Sequence, residues 1–221
     1  MKSNELPRKA RPYRLNPMLT GKLNETIQEL LQTNKIEPSN SPYGAPCFFV
    51  PKKGNKHRMV IDYRALNQLT VAEAHPLPLT EAVLDYLGTA KYFTTLDLQS
   101  GYHQIPVAAQ DRAKTAFTTT LGLFQGKVMP FGLRNAPVVF QRMMAHVLNE
   151  FLLEFVCVYI DDVIIFSKTE QEHRSHVDQV IKQLANYQLF INEESDKQLI
   201  FGLQLVPDID RSQTYAVLRS T

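Results

Sequence analysis

No apolar run in the sequence approaches the roughly 20 residues needed to cross a bilayer, and no early segment has the basic, apolar, small-residue pattern of a secretory leader. Membrane-spanning and secreted classes are therefore set aside, and an intracellular, cytoplasmic protein is expected. Cysteine is scarce. Cys47 and Cys157 are the two present, with no CxxC or Cys/His spacing that would mark zinc, and both sit among apolar residues as reduced core side chains. Repeats and low-complexity blocks are lacking as well, which excludes solenoids. What is there suffices for a core: 221 residues, 44% of them hydrophobic.

The net charge of +2 hides an uneven distribution. Residues 1–70 carry 12 Lys and Arg against 5 Asp and Glu, and residues 71–221 carry 12 against 17. An anionic partner near the basic third and a metal near the acidic part would balance these surpluses, although solvated surface charge accounts for the counts equally well.

Periodicity predicts an extended basic leader over 1–17 and a helix over Gly21–Asn34, with Leu23, Ile27, Leu30 and Leu31 on one face. "APCFFVPKKGNKHRMVIDYR" reads as two strands joined by a basic turn. A short helix over Glu81–Leu87 leads to a strand, "KYFTTLDL", ending at Asp97. "AKTAFTTT" and "FQGKVMPF" suggest a hairpin around Gly122. Asn135 is placed to cap a helix with Pro137 in its first turn and Val138, Phe140, Met143, Met144, Val147 and Leu148 on its apolar side. A last helix covers Glu170–Tyr187, with Val177, Val180, Ile181 and Leu184 inward. This order, without regular βαβ spacing, implies α+β with a mostly antiparallel sheet.

One stretch, "FVCVYIDDVIIFSK", places Asp161 and Asp162 between two apolar strand-like runs. Two explanations are open from the residues alone. Aspartate tolerates turn geometry and so suits a hairpin. Alternatively, two carboxylates within ~4 Å repel unless a cation joins them, and a divalent metal would do so. Asp97 ends another apolar strand. If the strands are neighbours, three carboxylates meet at one sheet edge and suit two oxygen-loving ions about 3.5 to 4 Å apart. Periodicity does not establish that adjacency across 64 residues (161 − 97).

"YIDD" resembles the YxDD signature of reverse transcriptases. Around it, "RPYRL", "KIEPSNSPYGAP", "RMVIDYRALN", "HPLPL", "LDLQSGYHQIPV", "KTAF", "MPFGLRNAPVVFQRMM" and "YIDDVIIFSKT" resemble, in order and spacing, the gypsy class of long-terminal-repeat retrotransposons. The resemblance runs from about residue 11 to 187. It implies the fingers and palm of a right-hand polymerase without a thumb, with fingers near 18–72 and 105–142, an antiparallel palm sheet packed on helices near 73–104 and 143–206, and a divergent tail over 207–221. It implies RNA-directed DNA polymerisation: addition of deoxynucleoside triphosphates to a primer 3′-OH on an RNA or DNA template, with two Mg²⁺ ions, or Mn²⁺.

The matched positions carry roles with them. Asp97, Asp161 and Asp162 are the catalytic carboxylates and metal ligands, joined by the carbonyl of Leu98. Lys52 or Lys53 and Arg58 match residues that close over the triphosphate, Lys as a point charge and Arg as a planar fork. Tyr102 matches the aromatic residue beneath the sugar, and Phe131 and Gly132 the segment under the base. Phe140, Gln141, Tyr159 and Arg64 match template and primer positions. Arg134 stands where the family commonly has a small polar residue. His103 is expected to position its neighbours, and no metal role is expected for His173 and His176.

After residue 187 the pattern is altered. Asn192 and Lys197 stand as remnants, Lys197 as the possible general acid toward pyrophosphate, and "LIFGLQLV" in place of the primer grip. Two expectations follow. In one, the chain is part of a larger Pol polyprotein that also holds protease, ribonuclease H and integrase and replicates in a virus-like particle. In the other, it is a decayed or co-opted copy that binds nucleic acid without efficient polymerisation. A carboxylate-metal nuclease would not need "LDLQSGYHQIPV" or "MPFGLRNAP".

Overall fold

The computed structural model of the chain describes residues 9–52, 54, 56–73, 87–88, 90–159, 162–192 and 199–201. The fold divides into two compact units, Met1–His75 with Ser100–Met143, and Pro76–Gln99 with Met144–Thr221.

The first unit opens on α1 (Pro17–Gln32), four residues before the expected start. The Asn16 side chain accepts from the Leu19 N–H at 2.8 Å, and Pro17 suits the first helical position because its missing N–H has no intrahelical partner to lose. Leucine spacing registered only the buried stripe of Leu23 and Ile27. A sheet ordered β1-β6-β5-β2-β3 follows, from β1 (Ile36–Pro38), β2 (Ala45–Lys52), β3 (Lys56–Ile61), β5 (Phe117–Thr119) and β6 (Gly122–Gly126). The pair β2/β3 is antiparallel from Cys47↔Ile61 to Lys52↔Lys56, and β2/β5 is parallel. Leu23, Ile27, Ile36, Cys47, Phe117 and Phe124 form one core.

The hairpin around Gly122 is shorter than "AKTAFTTT" and "FQGKVMPF" suggest. Ala113–Thr115 is a 3₁₀ turn, because the Thr115 hydroxyl donates to the Arg112 carbonyl while accepting from the Gly126 N–H. Val128 makes only an isolated bridge to Pro106. The helices α2 (Arg64–Leu69), α3 (Ala109–Arg112) and α4 (Ala136–Val147) complete the order before the second unit's last elements. Asn135 precedes α4 but does not cap it with its side chain. Its amide donates to the Val71 carbonyl, and its Oδ1 accepts from the Glu73 N–H.

In the second unit, β4 (Tyr92–Asp97), β7 (Val156–Tyr159), β8 (Asp162–Ser167) and β9 (Leu199–Phe201) form an antiparallel sheet ordered β7-β8-β4-β9. All residues of β8 after Asp162 are buried, so both of its faces are covered. Ala90, Phe93, Cys157, Ile164 and Phe166 make one core cluster, and α5 (Glu170–Asn186) packs on β8 and β4. A capping box starts α5: the Thr169 hydroxyl accepts from the Glu172 N–H and the Glu172 carboxylate from the Thr169 N–H. Ile181, expected inward, is exposed, and His173 is buried together with Val180 and Leu184. The helix expected over Glu81–Leu87 falls, apart from Leu87, outside the described residues. Among the described residues no helix is long and apolar enough to cross a membrane.

Candidate active site

In the second unit, Asp97 closes β4 and Asp162 opens β8, and the antiparallel register sets them directly opposite each other. Both are exposed. Opposed residues on one face have Cβ atoms roughly 4.5 to 5.5 Å apart, so two like charges here destabilise the pairing unless a cation bridges them. Asp162 is therefore a strand residue rather than part of the turn. The backbone beside Asp97 is held firmly: its carbonyl accepts from the Asn192 N–H at 2.9 Å, Leu98 bridges Ile191, and the Gln99 N–H donates to the Phe190 carbonyl. Two hard carboxylates beside the Leu98 peptide form a donor set that fits Mg²⁺ or Mn²⁺. Among the described residues no group of three His, Cys, Asp or Glu side chains assembles, and the expected third carboxylate, Asp161, lies outside them. Lys53 and Lys197 also lie outside, as do the side chains of Lys52 and Tyr159.

The nucleotide-side residues described are in the first unit. Arg58 is exposed on β3 opposite Val50, and at the hairpin tip Gly54 has φ +80°, a left-handed conformation natural to glycine. Tyr102 lies on a 3₁₀ turn, Gly101–Gln104, with its ring 5.1 Å from that of Phe131 and 5.6 Å, edge-on, from that of Phe140. Gly132 adopts φ +92°, and its carbonyl accepts from the Asn67 amide at 2.8 Å. Asn67 also accepts from the Arg134 N–H at 2.8 Å, so one side chain fixes this turn from both sides. Sequence reasoning passed over Asn67, although it ends the quoted word "RMVIDYRALN". Phe140 and Gln141 are both buried, so neither presents its side chain on the surface. Arg64 is exposed, and its guanidinium is engaged by Asp62 through bonds of 2.8 and 2.6 Å that hold the Asp62 carboxyl below the usual carboxylate range.

The two helix histidines are tied into hydroxyl contacts. His173 Nε2 lies 2.8 Å from the Thr94 hydroxyl and its Nδ1 2.9 Å from that of Ser167, which is also 2.8 Å from His176 Nδ1. His176 stacks on Phe155 with ring centroids 3.9 Å apart. Burial, then the neighbouring His176, lowers the His173 pKa. In the first unit, burial and secondly the Lys35 charge push His103 down to about 4.

These shifts have a defined sign. A histidine that binds its proton less well folded than unfolded adds stability at neutral pH that is lost as pH falls below the ordinary value of about 6.5. The His103 contribution, up to about 3 kcal/mol, should disappear between about pH 6.5 and 4 and change no further below that. Urea midpoints of wild type and His103→Phe over this range should diverge, the variant showing the flatter profile. Parallel profiles would rule the contribution out.

Comparison with known proteins places this geometry. The family model described as reverse transcriptase (RNA-dependent DNA polymerase) matches residues 50–199. The retrovirus-related Pol polyprotein from transposon opus of Drosophila melanogaster is 44% identical over 84% of this chain and 19% of its own length. That from transposon gypsy of the same organism is 43% identical over 79% and 18%. The enzymatic polyprotein of cauliflower mosaic virus, strain Strasbourg, is 35% identical over 84% and 28%. Among solved structures, the foamy viral protease-reverse transcriptase in complex with an RNA/DNA hybrid superposes with a TM-score of 0.78 and 26% identity, over 86% of this chain and 26% of that one. The selenomethionine-labelled prototype foamy virus protease-reverse transcriptase CSH mutant gives 0.75 and 29%, over 85% and 25%. The chain spans about a fifth of the length of the transposon relatives. With opposed carboxylates on the sheet of the second unit and a family match over most of its length, the chain belongs to the reverse transcriptase family.

Proposed function

We propose that the chain is the fingers and palm of an RNA-directed DNA polymerase within a larger cytoplasmic Pol polyprotein. The observation that carries this is the Asp97↔Asp162 pairing in a chain of this family. Each side chain has a task that its chemistry suits. Asp97 and Asp162, with Asp161 and the Leu98 carbonyl, hold the divalent ions. When bound, such ions lower the pKa of the primer hydroxyl and neutralise charge on the triphosphate and pyrophosphate. Arg58, with Lys52 or Lys53, holds the triphosphate through a planar fork and a point charge. Tyr102 excludes a ribose 2′-OH, while Phe131 and Gly132 support the base. Phe140, buried against Tyr102, backs that ring rather than touching template. Gln141 is likewise assigned to shaping the unit from within. Tyr159 and Arg64 serve the template and primer, and Lys197 is the candidate proton donor to pyrophosphate.

The test is extension of a DNA primer on an RNA template by the 221-residue chain with dNTPs and Mg²⁺. Metal-dependent, template-directed extension is expected. A folded chain that binds primer-template but adds nothing would instead identify a copy retained for binding alone.

A further inference from the structure

Phe131 is 49% exposed, yet its ring is gripped by two consecutive side chains of the Gly101–Gln104 turn. Tyr102 lies 5.1 Å from it at 51°, and the His103 imidazole lies 5.0 Å from it at 65°, close to edge-on. That turn is braced by its own backbone, the His103 N–H donating to the Ser100 carbonyl at 2.7 Å and the Ile105 N–H to the Tyr102 carbonyl at 3.2 Å. Phe131 and His103 also border a cavity of about 470 Å³, which Lys35, Ile36 and Phe117 help to line. An exposed phenyl ring beside unfilled space has somewhere to go. Tyr102 alone contacts one part of it, and the imidazole supplies the second contact that limits its rotamers. Burial and Lys35 keep His103 neutral, so the contact is that of two neutral rings rather than of a cation on a π face.

We propose that His103 is a positioning residue for Phe131, fixing the ring on which the incoming nucleotide rests and thereby setting how tightly that nucleotide binds. This rests on the polymerase reading given above. His103 does not touch the reacting atoms and acts through Phe131. Its loss therefore removes binding shared by ground and transition states, which raises KM and leaves kcat nearly unchanged.

Steady-state single-nucleotide addition by His103→Ala should show a dNTP KM raised about 3- to 10-fold, the size of one lost aromatic pair, with kcat within about twofold. His103→Phe, which restores a ring, should return KM to within about twofold of wild type. Phe131→Leu should raise KM by itself, and the double variant should add little to it, because both changes break one contact. If His103→Ala does not fold, His103→Leu carries the same expectation. A purely structural histidine would lower the active fraction and the melting temperature without moving KM, and that result, or additive effects in the double variant, would overturn the proposal. A wild-type chain that adds no nucleotide would instead count against the polymerase reading, and the proposal would fall with it. Normal wild-type kinetics with an unmoved KM in the variants would count against the positioning role alone.

Discussion

Asp97→Asn is expected to fold, to bind primer-template as wild type does, and to add nucleotides at least about 10³-fold more slowly. The substitution keeps the shape of an exposed residue at the end of β4 and removes one of two opposed negative charges. A bound metal contributes several kcal/mol of charge stabilisation in the transition state, and each ~1.4 kcal/mol is tenfold in rate. Folding should not suffer. Relief of the Asp97/Asp162 repulsion should leave the metal-free variant as stable as wild type or more so by about 0.2 to 1 kcal/mol at low ionic strength. Single-turnover extension and thermal melts with and without Mg²⁺ separate the two effects. Loss of extension together with loss of folding would show that Asp97 is structural.

The second large effect is on stability. Phe140 is 1% exposed, and its ring meets Tyr102 edge-on at 5.6 Å. Truncation of such a ring to alanine removes its burial and leaves a cavity, about 3 to 5 kcal/mol in all. That is a large share of the roughly 5 to 15 kcal/mol that holds a domain folded. Phe140→Ala should therefore shift the urea midpoint strongly downward, whereas Phe131→Ala, at 49% exposure, should shift it by under about 1 kcal/mol. Equal shifts would mean that Phe140 does not anchor the unit.

Particular residues explain which features were legible in the sequence. The second unit was the clearer half, because the apolar runs at β4 and β8 are long enough to read as strands and α5 carries its own start signal. The opposition of Asp97 and Asp162 was not available from periodicity, since strand pairing across that separation is a tertiary property. It came from the resemblance to a family and is seen directly in the register. Errors arose where a polar side chain served a distant backbone group. Asn135 resembles a cap but bonds Val71 and Glu73, and Thr115 bends what looks like a strand. His173 is buried on α5, where an inward Ile181 was expected, because Thr94 and Ser167 satisfy both of its ring nitrogens. Hydropathy ranks isoleucine above histidine and has no knowledge of those partners.

The most direct test is a single-nucleotide addition assay on an RNA template, offering each dNTP in turn to wild type and Asp97→Asn prepared in parallel. Wild type with Mg²⁺ should add the complementary nucleotide and discriminate against the other three, and the variant should add none on the same time scale. A wild-type chain that binds the primer-template and the metal yet adds nothing, or a variant that adds as fast as wild type, would contradict the assignment of these carboxylates to polymerisation.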